Sequence, residues 1–456
     1  MQSNILLFLL FSVLSAIILY FIPSKQKKYA LLIFNLLFYL LCDYKFILLI
    51  IISIIWSYYI GKKIACQSSN RKYYLFLGII PIIVILCFFK YYNFFIPSQN
   101  DVLKIIMPLG ISYYTFKIIS YLADIYMEKR DNEGSLIDYA VYVSFFPQII
   151  CGPIMRSQGI MEKVSNLSSP TSYLISAGVS HILSGLFKKL VIADRLDTYV
   201  NTIFSNPSGY PALALWMAAF FYTIQIYCDF AGYSEIAIGV TNLLGIECTP
   251  NFNLPYFSYN IRDFWRRWHI SLSSWLRDYI YIPLGGNRKG KNAKIINTIL
   301  TFLVSGLWHG NGLNYLIWGL YHGIFSLVNY KRATGSLRLI LQIVSTFFVV
   351  MFGWVFFKAT TLSDACVFIS SMFWGLEINM DSIVASVLPF TGDFSCLAYL
   401  LCICLFILIL FVFEYREYVG KDINCEKERN IRLIIYFSSI ILFGVVGQNS
   451  FLYANF

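Results

Sequence analysis

Stretches of apolar residues recur from one end of this 456-residue sequence to the other. Many of them approach the length of about 20 residues that a helix needs to cross a bilayer. Charged residues make up 13% of the chain and apolar residues 58%, whereas soluble domains contain roughly 25% charged residues. No soluble fold can bury so much apolar surface. The sequence therefore predicts an all-α polytopic membrane protein, and it excludes a secreted enzyme, a disordered chain, a coiled coil and a nucleic-acid-binding protein.

The apolar stretches predict about eleven membrane crossings, with the shorter stretches re-entrant or interfacial. The segment FFPQIICGPIMR, residues 145–156, combines Pro147, Gly152 and Pro153. A straight membrane helix would not tolerate this combination, so we expect a re-entrant segment there. The approximate limits of the apolar stretches are 4–22, 29–44, 46–60, 74–95, 102–126, 137–153, 172–193, 212–231, 232–246, 295–309, 313–330, 337–357, 396–413 and 431–447.

Basic residues predict the orientation of these helices, because Lys and Arg collect in cytoplasmic loops. We interpret the net charge of +11 mainly in this way. The loops after the second and fourth stretches hold one lysine each, Lys45 and Lys90, so the N-terminus is predicted to be outside. The first stretch lacks a cleavage pattern and is predicted to be a retained helix. The loops after the first, third and fifth stretches hold Lys25, Lys27, Lys28, Lys62, Lys63, Arg71, Lys72, Lys129 and Arg130.

The longest polar interval, residues 247–294, is predicted to be cytoplasmic because it is rich in basic residues. From Ile261 it has the periodicity of an amphipathic helix, which Pro283 and the pair Gly285–Gly286 would end. Tryptophans on the apolar arc suit a helix at the level of the lipid headgroups. The apolar arc would hold Phe264, Trp265, Trp268, Leu272, Trp275, Leu276 and Tyr279, and the adjacent basic arc Arg262, Arg266, His269, Ser273 and Arg277.

Two interpretations of the basic arc remain open. It is either an interfacial anchor whose arginines touch anionic lipid or a binding face for a phosphorylated ligand, since arginine forks suit phosphate. In the second interpretation the glycine turn adds backbone donors. His269 is either a structural hydrogen-bonding residue or a site residue. The candidates for substrate binding are Arg262, Arg266, Arg277, Trp268, Asn287 and Arg288.

Of the four histidines, His309 has the strongest indication of a function. It closes an apolar stretch and precedes the sequence Gly-Asn-Gly, and an ionisable group at membrane depth is costly unless it faces a cavity or a partner. No metal-binding or nucleophile pattern accompanies it. We therefore predict no metal and interpret His309 as a general base. His322, 13 residues further on, would lie on a different face of a continuous helix and is a possible supporting residue.

Asp229 and Glu235 are carboxylates in the otherwise apolar stretch 222–240. Intramembrane carboxylates are rare and costly, so they mark functional or strongly paired positions. We expect their partners to be arginines of the cytoplasmic segment, in a buried pairing that serves the fold as much as the chemistry. Both are possible supporting residues of the site.

Five motifs, in this order, resemble the membrane-bound O-acyltransferase (MBOAT) family, in its alginate and peptidoglycan O-acetyltransferase branch. They are LGISYYTFKIISYLADIY, FFPQIICGPIMR, IQIYCDFAGYSEIAIG, NFNLPYFSYNIRDFWRRWHISLSSWLRDYIYIPLGGNRKG and SGLWHGNGLNYLIWGLYHG. The resemblance implies a ring of tilted transmembrane helices around a thinned centre, with a cytoplasmic opening for the donor and a tunnel to the far side. It also implies that His309 is the catalytic histidine and that His269, the second catalytic candidate, lies near the donor tunnel.

The resemblance further implies one integral-membrane acyltransferase domain, 1–456, with N-terminal helices at 1–100, a motif core at 105–330 and C-terminal helices at 335–456. The expected reaction takes an acetyl group from cytoplasmic acetyl-CoA, which is a substrate and not a bound cofactor. The acetyl group would cross the bacterial inner membrane for O-acetylation of an extracytoplasmic polysaccharide. Membrane lipid and an extracytoplasmic acetyltransferase or acceptor protein are the expected partners.

Three alternatives remain open. One is transfer of D-alanine from a carrier-protein thioester to teichoic acid, although the ending PLGGNRKG at 283–290 favours the acetyl branch. Another is a transporter without chemistry of its own, which inverted repeats would favour; the sequence shows none. The third is an acyltransferase that modifies a lipid or a protein with the same chemistry.

Overall fold

Helices form all the regular structure in the part of the chain that the computed structural model describes, residues 5–66, 69–96, 105–128, 134–374, 379–390, 395–420 and 426–445. This is expected, because backbone groups in lipid must bond within their own segment. The prediction of an all-α protein is confirmed. The α-helices in these ranges are α1 (Ile5–Phe21), α2 (Ser24–Asp43), α3 (Ile47–Cys66), α4 (Arg71–Phe95), α5 (Ile111–Tyr126), α6 (Leu136–Ser144), α7 (Ser157–Ser165), α8 (Ser172–Leu186), α9 (Asp194–Ser205), α10 (Ala212–Leu243), α11 (Ile261–Arg267), α12 (Ile270–Leu276), α13 (Lys291–His309), α14 (Leu313–Leu327), α15 (Ser336–Lys358), α16 (Leu362–Phe373), α17 (Met380–Val387), α18 (Cys396–Tyr418) and α19 (Glu426–Phe443).

Several helical segments are long and apolar enough to cross a membrane, which confirms a multi-pass membrane protein. The total of about eleven crossings stays a prediction, as does the orientation; Lys129, Arg130 and residues 1–4 lie outside the described ranges. Within those ranges, six segments meet the length and hydropathy expected of a span: Ser24–Cys66, Arg71–Phe95, Ser172–Ser205, Ala212–Leu243, Ser336–Lys358 and Cys396–Tyr418.

Three predicted stretches have different limits in the structure. The stretches 212–231 and 232–246 belong to one helix, α10, which continues through Gly232 and contains no proline. In the described part of the stretch 102–126, residues 105–110 are not helical and α5 begins at Ile111, after Gly110 with φ 65°. The predicted interruption within 145–156 is confirmed: α6 ends at Ser144 and a 3-10 turn follows at Phe146–Gln148. Its re-entrant character stays a prediction.

The described residues divide into two compact units that alternate along the chain. The first comprises residues 5–182 and 234–250, and the second comprises residues 183–233 and 251–445. Helix α10 contributes to both units, because residue 233 falls within it. The single acyltransferase domain expected from the sequence stays a prediction.

In the first unit, α5 packs against α6, and the residue before α5 packs against the irregular segment that follows α6. Lys117 of α5 is buried and donates a hydrogen bond of 3.1 Å to the carbonyl oxygen of Tyr142. A side chain at Gly110 would collide with the carbonyl oxygen of Ile149. The glycine therefore serves both the left-handed backbone before α5 and the close approach of the irregular segment.

In the second unit, α13 and α14 form a helical hairpin whose close packing depends on glycine. A Cβ at Gly306 would collide with the carbonyl oxygen of Tyr315, and one at Gly319 with that of Phe302. Small residues let helix backbones approach in this way within membranes. The chain reverses between His309 and Leu313, so the last turn of α13 lies beside the first turns of α14.

Substituting glycine in this hairpin should distinguish backbone contact from side-chain contact. Gly319→Ala should lower the melting temperature in detergent, because overpacking against a carbonyl typically costs about 1–3 kcal/mol. Gly323→Ala is the matched control, since the nearest atoms to its Cβ would be Cβ of Phe302 at 3.3 Å and Cα of Ile299 at 3.5 Å, with no carbonyl oxygen among the three nearest. It should be neutral or stabilising, because alanine favours a helix by up to about 1 kcal/mol over glycine. Equal melting temperatures would contradict the packing described.

Candidate functional site

His309 is the last residue of α13 and lies buried among aromatic rings, with 2% of its surface exposed. Its ring centroid is 5.0 Å from that of Trp318 and 5.2 Å from that of Phe357, in edge-to-face arrangements. Trp318 belongs to α14 and Phe357 to α15. The hairpin and α15 therefore hold the imidazole in an apolar environment at a break in the helical backbone.

Asn314 fixes the end of α15 beside this histidine. Its side-chain amide donates hydrogen bonds of 3.2 Å and 2.8 Å to the carbonyl oxygens of Phe356 and Ala359. These carbonyl groups lie in the last turn and at the C-cap of α15, where no backbone amide of the helix donates a hydrogen bond to them. The contact keeps Phe357 against His309.

His322 lies on the other side of Trp318, with ring centroids 5.2 Å apart. The different faces expected of a continuous helix do not apply here, because the chain reverses after His309 and both histidines contact the same indole. His322 is fully buried, and its Nε2 packs against Gly353, where a Cβ would lie 2.5 Å away. Among the residues described, its ring nitrogens have no hydrogen-bond partner, so packing is the role that the structure supports.

No group of three or more His, Cys, Asp or Glu side chains is placed to hold a metal in the described ranges.

The segment predicted to be cytoplasmic is not the single amphipathic helix that its periodicity predicts. Helix α11 ends at Arg267, His269 has φ 42°, and α12 begins at Ile270. The residues before it cause the break: the amide of Asn253 donates to the carbonyl of Arg267, and the amide of Ile270 donates to the carbonyl of Asn251, both at 2.9 Å. Periodicity could not reveal this competing set of hydrogen bonds. A π-helical turn, Arg277–Tyr281, follows α12.

The break turns His269 away from the basic arc on which it was predicted. The ring is 1% exposed and lies edge-to-face on Phe230 of α10, with centroids 4.6 Å apart. Nδ1 is 3.2 Å from Oδ1 of Asn251. Desolvation by burial lowers the pKa of His269 to about 3, so the ring is neutral at physiological pH.

The tryptophans of this segment pack inside the protein, which corrects their prediction as headgroup anchors. Trp268 is 1% exposed and Trp275 4%. Trp268 contacts Trp354 of α15 with ring centroids 4.9 Å apart, and Trp265 contacts the ring of His322 at 5.1 Å. These indoles join the surroundings of His269 to those of His309. The role of Trp268 in substrate binding stays a prediction.

Most of the predicted substrate-binding residues are exposed, namely Arg266, Arg277, Asn287 and Arg288. Arg277 pairs with Asp278 at 2.8 Å, and its side chain is 62% exposed. Arg262 is partly buried, with a donor 3.4 Å from the carbonyl oxygen of Ser326. The glycine turn has φ 107° at Gly285 and 56° at Gly286, and Asn297 donates to the Gly286 carbonyl at 2.9 Å. A rigid turn flanked by accessible cations fits an anionic ligand, a role that stays a prediction.

Asp229 pairs with Lys189, whereas the sequence led us to expect an arginine of the cytoplasmic segment. Lys189 Nζ lies 2.5 Å from Asp229 and 2.8 Å from Asp194, and all three side chains are at most 6% exposed. Lys189 belongs to a π-helical turn, Phe187–Ala193. Such turns displace side chains from regular helical positions.

Glu235 is six residues beyond Asp229 on the same helix and belongs to the first unit, where it is half-buried.

Comparison with known proteins identifies the family of the chain. Residues 18–362 match the family described as MBOAT, membrane-bound O-acyltransferase family. The chain belongs to the membrane-bound O-acyltransferase family. It is therefore an O-acyltransferase, as the sequence predicted.

Relatives of this MBOAT protein include O-acetylating enzymes. A probable alginate O-acetylase AlgI of Pseudomonas syringae pv. tomato is 36% identical over 407 residues, 84% of this chain and 77% of the relative. A peptidoglycan O-acetyltransferase of Helicobacter pylori is 37% identical over 381 residues, 74% of this chain and 72% of the relative. A teichoic acid D-alanyltransferase of Bacillus subtilis is 33% identical over 278 residues, 56% of this chain and 69% of the relative.

Two residues of this MBOAT chain were missed as contributors by sequence reasoning. Lys189 stands in GLFKK, which resembles an ordinary interfacial end of a helix, and nothing local predicts the π-helical turn. Asn251 stands in NFNLPYF, within one of the five family motifs. Its buried position beside His269 depends on a contact across 18 residues, which periodicity does not encode.

The ion cluster of Lys189 predicts an order of stability among its variants. Lys189→Met should be the most destabilising, because it leaves two carboxylates buried; breaking a buried pair typically costs about 3–5 kcal/mol. Asp229→Ala should cost less, because Lys189 keeps Asp194 as a partner. Asp278→Ala, at the exposed pair with Arg277, is the matched control and should cost at most about 1 kcal/mol. Melting temperatures in detergent measure the order, and a Lys189→Met variant as stable as the control would contradict it.

Burial of His269 predicts a loss of stability in acid. The unfolded chain protonates this ring near pH 6.5 and the folded chain only near its lowered pKa of about 3. Between these values the unfolded state binds the additional proton, so the free energy of unfolding decreases as the pH falls below about 6.5. At pH 5 the loss is about 2 kcal/mol, from 1.36 kcal/mol per pH unit.

The measurement is the melting temperature between pH 7.5 and pH 5. His269→Asn should show a shallower decrease than the wild type, and asparagine tolerates the positive φ at this position. His181→Asn, at a partly buried histidine of α8, is the control and should keep the wild-type decrease. Parallel curves for the wild type and His269→Asn would contradict the assignment.

Proposed function

We propose that this O-acyltransferase takes an acetyl group from acetyl-CoA on the cytoplasmic side and passes it across a bacterial inner membrane for O-acetylation of an extracytoplasmic polysaccharide. The N-terminus would then lie outside. The relatives named as O-acetylating enzymes support acetyl as the group transferred, since they align with 84% and 74% of the chain. The alignment with a D-alanyltransferase covers only 56%.

The position of His309 carries the proposal. Its imidazole is buried where α13 ends and the backbone is broken, so a reacting group could approach it without crossing a helix. A thioester is already activated for attack, and the remaining requirement is a base for the proton of a hydroxyl. His309 is the base that this site offers.

The reaction that we assign to this site balances in one displacement. The imidazole of His309 accepts the proton of the acceptor hydroxyl as its oxygen forms a bond to the thioester carbonyl carbon. The carbon–sulfur bond then breaks, an ester is formed, and the thiolate of coenzyme A leaves and takes up the proton. No covalent intermediate with the protein is required.

The donor would bind through its phosphates to the exposed cations of the cytoplasmic segment. Arg266, Arg277 and Arg288 are accessible, and arginine forks suit phosphate oxygens. The ordered turn at Gly285–Gly286 would add backbone donors beside them. Coenzyme A is rich in phosphate, which fits this basic surface.

The acceptor of the membrane step is a hydroxyl, and a polysaccharide outside the membrane would receive the acetyl group through a partner. An extracytoplasmic acetyltransferase or acceptor protein fits that role, because the buried His309 site offers no extended surface for a polymer. The surrounding lipid is the other partner of the chain.

Transfer of D-alanine from a carrier-protein thioester to teichoic acid is the second candidate. The relative of Bacillus subtilis named as a D-alanyltransferase supports it. Supplying purified protein with labelled acetyl-CoA or with a D-alanyl carrier thioester separates the two functions, since only the true donor should give His309-dependent release of thiol.

His309→Ala should lose at least the factor of about 10²–10⁴ that general-base catalysis contributes. The measurement is transfer of labelled acetyl from acetyl-CoA by protein reconstituted in lipid, with donor binding and melting temperature measured alongside. His322→Ala should lose less, because His322 contacts aromatic rings behind Trp318. His181→Ala is the control and should transfer at the wild-type rate.

Two results would contradict this assignment. If His309→Ala keeps more than about a tenth of the wild-type transfer, the general-base contribution is absent. If labelled coenzyme A itself appears on the far side without loss of its acetyl group, the protein is a transporter.

A further inference from the structure

The contacts of Asn251 determine which nitrogen of His269 carries hydrogen. Oδ1 of Asn251 accepts hydrogen bonds from the backbone amide of Ser271 at 3.2 Å and from the Ser271 hydroxyl at 2.9 Å. A backbone amide can only donate, so the atom that faces it is the oxygen of the side-chain amide. The same oxygen is 3.2 Å from Nδ1 of His269. An oxygen acceptor requires a donor, so Nδ1 bears the hydrogen.

The hydroxyl of Ser271 does not reverse this conclusion. It lies 3.4 Å from Nδ1 of His269, longer than its 2.9 Å hydrogen bond to Asn251. Because its single hydrogen is directed to Asn251, the hydroxyl can only accept from Nδ1. Both neighbours of Nδ1 therefore act as acceptors.

Nε2 of His269 is consequently a nitrogen with a free lone pair. It is buried, and within the described part of the chain it has no hydrogen-bond partner. Leaving a buried acceptor unsatisfied is unfavourable, and His269 also adopts φ 42°, a conformation that residues other than glycine rarely take. Strained and unsatisfied residues concentrate at functional sites.

We propose that Asn251 is a positioning residue that holds His269 in its Nδ1–H tautomer, so that Nε2 accepts a hydrogen bond from an N–H or O–H group of a substrate. The identity of the substrate rests on the proposed function, whereas the tautomer does not. A lone pair would repel the oxygens of a phosphate, so His269 is not part of the phosphate-binding surface. The group that it binds is either an amide N–H of the pantetheine arm of the donor or the hydroxyl of the acceptor.

The tautomer is directly measurable. Protein labelled with ¹⁵N-histidine and reconstituted in lipid has only four histidines, and the His269 signals are those missing from His269→Asn. Solid-state NMR should show a protonated Nδ1 and an unprotonated Nε2 in the wild type. Asn251→Leu should give a mixture of tautomers. Asn251→Asp should keep the Nδ1–H form, because a carboxylate accepts the same hydrogen.

Ser271→Ala is the matched control. It removes the hydroxyl and keeps the backbone amide that orients Asn251, so the tautomer should not change. A wild-type ring protonated at Nε2 would overturn the proposal, and so would the same tautomer in Asn251→Leu.

Kinetics separate a positioning role from a structural one. Asn251→Leu should lower kcat/KM about tenfold or more, the equivalent of one misplaced hydrogen bond. Asn251→Asp should restore most of the activity, because it keeps the size and the acceptor oxygen of the asparagine, although it adds a charge. If Nε2 binds the donor amide, KM for acetyl-CoA should rise in both hydrolysis and transfer. If it binds the acceptor hydroxyl, that KM should stay constant and kcat for transfer should fall. Kinetics of Asn251→Leu equal to those of the wild type would overturn the proposal.

The proposed function and the proposed tautomer of His269 can be contradicted independently of each other. Transfer that survives in His309→Ala would remove the proposed function and leave the NMR result intact. A different tautomer in a chain whose transfer still requires His309 would remove only this inference.

Discussion

The hydrogen bonds between residues 251–253 and the backbone around His269 determine the arrangement of the second unit. They end α11 at Arg267 and start α12 at Ile270. Without them the sequence would continue as one amphipathic helix, with His269 among its arginines. The break directs the imidazole onto Phe230 and Trp268 onto Trp354. The cost of a positive φ at a histidine is offset by three hydrogen bonds to one asparagine oxygen and by the burial of aromatic surface.

Aromatic packing connects the histidines of this unit. Trp318 contacts both His309 and His322, and Trp265 contacts His322. The two imidazoles therefore belong to one aromatic cluster built around Trp318. Close helix packing at Gly306 and Gly319 brings the rings together.

The sequence predicted the class of the fold and the position of His309 because both follow from local patterns. Apolar length indicates membrane helices, and a histidine followed by Gly-Asn-Gly at the end of an apolar stretch indicates a broken helix. His269 was placed wrongly because a period of 3.6 residues assumes continuous backbone, and the hydrogen bonds that interrupt the helix come from residues 251–253, which lie well upstream. The partner of Asp229 was missed for a related reason. A π-helical turn changes which residues face inward, and it has no marker in the residues Phe187–Ala193.

The arginines and His269 of the segment predicted to be cytoplasmic have chemically different surroundings. Arg266, Arg277 and Arg288 remain in contact with solvent, and a guanidinium group is only weakly hydrated, which suits pairing with a phosphate. His269, a few residues away in sequence, has lost its solvent and its charge. A donor that carries phosphates at one end and a neutral amide arm at the other likewise has one charged part and one neutral part. One short segment, broken once by Asn251, can therefore offer cations for the charged end and an oriented neutral acceptor for the arm, which a continuous amphipathic helix of the same sequence could not do.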